Sequence, residues 1–157
     1  MKLFAVLVAA TCLFAATGCT ELMQVRTTAP AAPVPVRESE PNDDPFRAQV
    51  LSIGVPIDGT LSPDDTGDYY EIQFPTNTVR LLIEIGGEGL ATMAQATLET
   101  AGGTVARAAQ TSGSQLLLLF PVRPSVEYYL RLSRTGPAGK PYPYRIRMYA
   151  LPEFDGR

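Results

Sequence analysis

Gly67-Asp68-Tyr69-Tyr70-Glu71-Ile72-Gln73-Phe74 alternates with a period of two. Tyr70, Ile72 and Phe74 fall on one side of an extended chain, and Tyr69, Glu71 and Gln73 on the other. The pattern recurs down the chain. Val79, Leu81, Ile83 and Ile85 alternate with Arg80, Leu82 and Glu84 until Gly86-Gly87 stops the run. Val126, Tyr128, Leu130 and Leu132 alternate with Glu127, Tyr129, Arg131 and Ser133, and Tyr144, Ile146, Met148 and Ala150 with Arg145, Arg147 and Tyr149. Weaker segments lie at 55–61, 94–99, 104–109 and 115–120. The run Leu116 to Phe120 reads equally as helix by pattern, but Gly113 before it and Pro121 after it favour a buried strand. Eight short strands about ten residues apart, punctuated by Gly, Pro, Asp and Asn, predict an all-β, antiparallel β-sandwich in a single domain. The expected core is Val55, Leu61, Tyr70, Ile72, Phe74, Leu81, Ile83, Leu117, Leu119, Tyr128, Leu130, Tyr144, Ile146 and Met148.

Ahead of that domain the composition changes. Residues 3–16 are an apolar run after Met1-Lys2, and in a helix they would rise about 21 Å, short of the roughly 30 Å hydrocarbon layer. The run therefore reads as a signal peptide, residues 1–18, rather than a span. Ala16-Thr17-Gly18-Cys19 resembles the lipobox of bacterial lipoproteins, with Ala16 where Leu is usual; an ordinary secretory signal is the alternative. Under the lipobox reading Cys19 carries the lipid, Cys12 leaves with the signal, and no thiol remains for a disulfide or catalysis. Thr20 in place of the Asp that signals inner-membrane retention in enteric bacteria favours the outer membrane. Residues 19–37, with Pro30, Pro33 and Pro35, predict an extended linker. The sandwich is expected over 38–152, with a tail at 153–157.

The 157 residues hold 13 Lys+Arg, 16 Asp+Glu, no His and two Cys. Without histidine there is no Ser-His-Asp or Cys-His pair and no imidazole ligand for zinc. A net charge of −3 speaks against nucleic acid, which requires a basic face. The acids are concentrated: residues 38–71 carry nine acids and one base, a net of −8, against +3 for residues 72–157. Two subclusters, Glu38 to Asp44 and Asp64 to Asp68, fall in irregular chain at strand ends. Hard oxygen ligands without His or Cys suit Ca²⁺; equally, Asp, Asn, Pro and Gly are ordinary solvated-turn residues.

Glu38-Ser39-Glu40-Pro41-Asn42-Asp43, Ile57-Asp58-Gly59-Thr60-Leu61, Asp65-Thr66-Gly67-Asp68-Tyr69-Tyr70, and the closing Glu127-Tyr128-Tyr129-Leu130-Arg131-Leu132 with Pro141-Tyr142-Pro143-Tyr144-Arg145-Ile146 together resemble the bacterial pre-peptidase C-terminal domain. The resemblance spans about residues 38–150. It implies a jelly-roll-like sandwich, commonly appended to secreted proteases and in one branch a collagen-binding module that holds Ca²⁺. Carried over by residue, it implies metal ligands at Glu38, Glu40, Asn42, Asp43, Asp65 and Asp68, with Thr60 and the Tyr69 carbonyl as weaker candidates. The segment ahead of the domain reads as signal, lipid site and stalk, so the usual place behind a peptidase is not expected here.

These observations point to a non-enzymatic, lipid-anchored envelope protein that binds a protein or an extracellular polymer. An accessory subunit without calcium is the alternative, and a carboxylate-based hydrolase a weaker one, for want of Trp and of a desolvated lysine. The candidate partner surface is the outward set Tyr129, Arg131, Arg145, Arg147 and Tyr149, residue types enriched at interface hot spots. It is contiguous only if the last two strands are neighbours.

Overall fold

The computed structural model describes residues 31–110, 115–136 and 139–152. The signal region, Cys19, most of the linker and the tail lie outside the described residues. Eleven strands are described: β1 (Val36–Arg37), β2 (Gln49–Ser52), β3 (Ile57–Leu61), β4 (Asp68–Gln73), β5 (Arg80–Gly86), β6 (Ala94–Thr100), β7 (Gly103–Arg107), β8 (Ala109–Gln110), β9 (Gln115–Pro121), β10 (Tyr129–Arg134) and β11 (Tyr142–Leu151). All eight expected strands are present. The three additions are short, β1 and β8 of two residues and β2 of four, too few to display a period. A 3-10 turn, Pro45–Arg47, and a one-turn helix, Leu90–Met93, complete the described elements.

The strands form two sheets, a six-stranded one ordered β1-β3-β11-β5-β9-β8 and a five-stranded one ordered β2-β4-β10-β6-β7. The pairings are antiparallel except at one edge of each sheet, where β1 runs parallel to β3 and β2 parallel to β4. The cause is the chain path. β1 belongs to one sheet and β2 to the other, so the arm between them crosses from edge to edge, and each edge strand then lies beside a strand two further on. The sheet takes in Val36–Arg37, which the sequence analysis left in the linker; the Val36 N–H donates to Pro56 O at 2.8 Å and the Glu38 N–H to Asp58 O at 2.8 Å.

Between the sheets lie Leu51, Ile57, Leu61, Tyr70, Leu81, Ile83, Ile85, Leu98, Leu130, Leu132, Ile146 and Met148, all buried. Two parts of the expected core are corrected. Leu119 is 54% exposed and Leu117 half-buried, whereas Leu116, Leu118 and Phe120 face inward. An unbroken apolar run has no phase of its own; pairing with β5, which sets Leu118 against Ile83 and Phe120 against Leu81, supplies it. Val55, 38% exposed, sits in the turn between β2 and β3, where its N–H bonds Ser52 O rather than entering a strand. Phe74 is half-buried against the core, tilted on Tyr128 at 6.1 Å between ring centroids.

A carboxylate cage at the arm

The parallel pairing of β1 with β3 fixes where the arm begins, and so where Glu38 points. Its carboxylate lies over Gly59. A Cβ at Gly59 would come within 2.5 Å of the Tyr144 hydroxyl and 2.7 Å of Glu38 Oε2, so only glycine lets the two meet there. Glu38 Oε2 accepts the Thr60 N–H at 2.8 Å. Its Oε1 accepts from the Tyr70 hydroxyl at 2.6 Å, from Asn42 Nδ2 at 3.1 Å and from the Tyr144 hydroxyl. Tyr144 also reaches Asp68 Oδ2 at 2.5 Å, and the two tyrosine oxygens are 2.5 Å apart.

Proton counting shows what this cluster lacks. Four short oxygen–oxygen contacts join Tyr70, Tyr144, Glu38 and Asp68, and the two phenols supply only two protons. Burial pushes both phenols well above the usual tyrosine range, so they stay neutral donors. Two of the four contacts are thus left without a proton, a deficit that an additional proton or a cation between the carboxylates relieves. Burial pushes the Asp68 carboxyl up to about 8; the Tyr144 hydrogen bond opposes this, while the charges of Glu38, Glu40 and Asp65 add to it. Glu40 is raised as well, by burial first and then by Glu38.

Carboxylate oxygens of Glu38, Glu40 and Asp68 all lie within 4.8 Å of one another. Asn42 and Asp68 are 0% exposed, and the side-chain oxygens Asn42 Oδ1 and Asp68 Oδ1 are buried without a hydrogen-bond partner. Such orphaned acceptors are costly, of order 1–3 kcal/mol each. Asn42 is held from three sides, through its N–H to Glu40 Oε2 at 3.2 Å, its carbonyl from the Tyr69 N–H at 2.8 Å and its Nδ2 on Glu38. Four oxygen-bearing side chains from the arm and β4 therefore converge, two of them with an unmatched oxygen. This donor set fits a hard cation and has nothing soft in it.

Of the six ligands implied by resemblance, Glu38, Glu40, Asn42 and Asp68 come together. Asp65 is half-buried and turns its Oδ2 onto the Ser62 N–H at 2.6 Å, closing the loop before β4. Asp43 is exposed. Both contribute through charge, since each raises Glu40. Thr60 and Tyr69 enter through their N–H groups. The sequence analysis placed Tyr70 and Tyr144 in the core for their apolar rings; the available signal was that a buried tyrosine tip needs a partner. Gly59 carried no signal beyond its place in the quoted Ile57-Asp58-Gly59-Thr60-Leu61 stretch.

The proposed partner set divides. β10 lies in the five-stranded sheet and β11 in the six-stranded one, so Tyr129 and Arg131 face away from Arg145, Arg147 and Tyr149 and form no single patch. Arg131 lies 5.5 Å from the Tyr69 ring centroid and 4.0 Å from Glu99. Arg145 makes a two-pronged pair with Asp58, Nε to Oδ1 at 2.5 Å and NH2 to Oδ2 at 2.8 Å, which holds the Asp58 carboxyl below its usual range. An open cleft of about 740 Å³ beside the cage is lined by Arg37, Glu38, Asp58, Gly87, Tyr144 and Arg145 among others.

The fold is a two-sheet β-sandwich rather than a closed barrel or an open α/β sheet. Among solved structures, the chain is similar to the pre-peptidase C-terminal domain of a collagenase from Bacillus anthracis, with a TM-score of 0.54 and 19% identity over 64% of this chain and 93% of that one. It is also similar to the Aeromonas hydrophila PliG, a periplasmic inhibitor of g-type lysozyme, with a TM-score of 0.43 and 11% identity over 66% of this chain and 99% of that one. No family model matches the sequence, and no curated protein does. The likeness to the collagenase domain is one of fold, and at that level it agrees with the resemblance read from the motifs. No helix among the described residues is long and apolar enough to cross a membrane.

Proposed function

We propose that this chain is a lipid-anchored, non-enzymatic module of the bacterial envelope, whose sandwich is pinned by calcium and binds a protein or an extracellular polymer. The observation that carries the calcium reading is the cage, where Glu38, Glu40 and Asp68 converge and the side-chain oxygens Asn42 Oδ1 and Asp68 Oδ1 are buried without a hydrogen-bond partner. Glu38, Glu40, Asn42 and Asp68 would hold the ion, with Asp43 and Asp65 adding negative charge around it. The bound ion would supply the missing positive charge and tie the arm to β4. The carboxylates gathered there hold the arm in place, which leaves them unsuited to glycosidic acid–base work. Binding is the role left to a histidine-free sandwich on a stalk, and outer-membrane anchoring through Cys19 follows from the lipobox reading.

A second reading, a structural envelope subunit without calcium, draws support from bonds that tie the arm down without metal. The Gln49 side chain bridges it, accepting the Ser39 N–H at 2.9 Å and donating to Arg37 O at 3.2 Å. A thermal melt of residues 20–157 separates the two, in excess EGTA, in millimolar calcium and in magnesium. Calcium at about a hundred times its Kd should stabilise by about 2.7 kcal/mol, a rise of several degrees. Identical melts in all three would leave the second reading. Labelling with a palmitate analogue tests the anchor, since the wild type should label and Cys19→Ser should not.

A further inference from the structure

The outer face of the six-stranded sheet carries leucine where an open antiparallel face carries polar residues. Leu119 is 54% exposed and Tyr149 37% exposed, and Leu82 and Leu117 are half-buried. The pairing sets Tyr149, Leu82 and Leu119 in one row across β11, β5 and β9, with Leu117 in the next row beside Glu84. β9 is apolar on both of its sides from Leu116 to Phe120, the pattern of a strand covered on both. On this face β5 carries one charge of each sign, placed symmetrically about Leu82. Arg80 and Glu84 flank Leu82 at two residues either way on the same face, and among the described residues neither has an ion-pair partner.

We propose that a second copy of this chain packs on this face, about a two-fold axis that runs across the strands through the Tyr149–Leu82–Leu119 row. Rotation about that axis reverses the strand direction. It sets Leu82 on Leu82 and brings each copy's Glu84 over the other's Arg80, so one charge pattern makes two ion pairs. Leu117 meets Pro121 by the same operation, because they share rows with Glu84 and Arg80 respectively. The alternative axis, along the strands, would set Glu84 on Glu84 and Arg80 on Arg80 and is repelled. Stacked sheets lie about 10 Å apart, a gap that an arginine and a glutamate span together. The apolar row is only three strands wide, less than a standard interface, so the dimer is a weak one, forming at micromolar concentrations and above.

Sedimentation equilibrium tests this on residues 20–157, which retain the whole compact unit Ala32–Arg157. From about 1 μM to about 1 mM, the average mass should climb towards twice that of the chain. Leu119→Asp should abolish the climb. Glu84→Arg, which sets arginine against arginine, should weaken association at least tenfold, and the double variant Arg80→Glu/Glu84→Arg should restore it. All of these side chains are on the outer face, and circular dichroism checks that each variant is folded. A wild type that stays monomeric at about 1 mM overturns the proposal and leaves the face to a different protein. So does a Glu84→Arg variant that associates like the wild type, or a double variant no better than the single one.

Discussion

Gly59→Ala tests whether the cage depends on one missing methyl group. A Cβ there would lie 2.5 Å from Tyr144 and 2.7 Å from Glu38 Oε2, where ordinary contact is 3.4–4 Å, so a neighbour must retreat by about 1 Å. Tyr144 is buried and strand-paired to Gly59 itself, so it has little room to move. Glu38 is half-buried at the start of the arm and is the group that gives way. Overpacking a filled site costs about 1–3 kcal/mol. Losing the Glu38 bond to the Thr60 N–H adds about 1–2 kcal/mol, because the acceptor is charged. At about 4 °C per kcal/mol for a domain of this size, the melting temperature should fall by roughly 8–20 °C. Displacing Glu38 should also shrink the calcium-induced rise. Gly86→Ala is the control, since its Cβ would meet only the Gln115 side chain, at 3.8 Å from Cγ and 4.0 Å from Nε2, and alanine suits a strand better than glycine. The measurement is a pair of melts, with calcium and with EGTA, for each variant. If Gly59→Ala melts like Gly86→Ala and keeps the full calcium rise, the close approach of Tyr144 and Glu38 does not order the site.

Three further outcomes are expected. Asp68→Asn should lose the calcium-induced rise yet lose little stability in EGTA, where the native side chain is already held protonated; the exposed Asp64→Asn should change neither melt. In EGTA, stability should fall as pH rises from about 5 to 8, because the native Asp68 carboxyl, raised to about 8, keeps a proton that the unfolded chain releases. That contribution is complete below the ordinary carboxylate range and lost as pH passes the native value, so Asp68→Asn should flatten the slope; a slope unchanged in that variant would assign it to other groups. Asp58→Asn should cost less than about 1 kcal/mol in urea unfolding, and less still in molar salt, because the Asp58–Arg145 pair is well exposed.

Strand positions were legible wherever polar and apolar residues alternated, as in β4, β5, β10 and β11, because a period of two carries both element and phase. The phase of β9 was not, since leucine at every position leaves pairing to decide. The arm's two-residue strand was invisible for a related reason. Val36 and Arg37 pair through their backbones, and side-chain patterning records nothing of that. The acids of the cage stood out as charge, but Asp43 and Asp65 could not be told from Glu38, Glu40 and Asp68, because the distinction rests on which carboxylates the arm's crossing brings within 4.8 Å of one another. Tyr70 and Tyr144 were read as core for their rings, and their hydroxyls found the carboxylates only once two distant strands met. The split of the partner surface followed from sheet membership, which strand order along the chain does not fix.

The route of the arm has a mechanical consequence. Tension on the chain ahead of Val36 pulls along β1, in line with β3, so the bonds at Pro56 O and Asp58 O are loaded together in shear and cannot be unzipped one after another. Two bonds resist little by themselves. Behind them, Glu38 grips Thr60 in one sheet while Tyr144 links it to Asp68 in the other, so the force spreads across both layers before the core feels it. The cage thus sits where a load on the arm would pass from its two backbone bonds into the body of the sandwich.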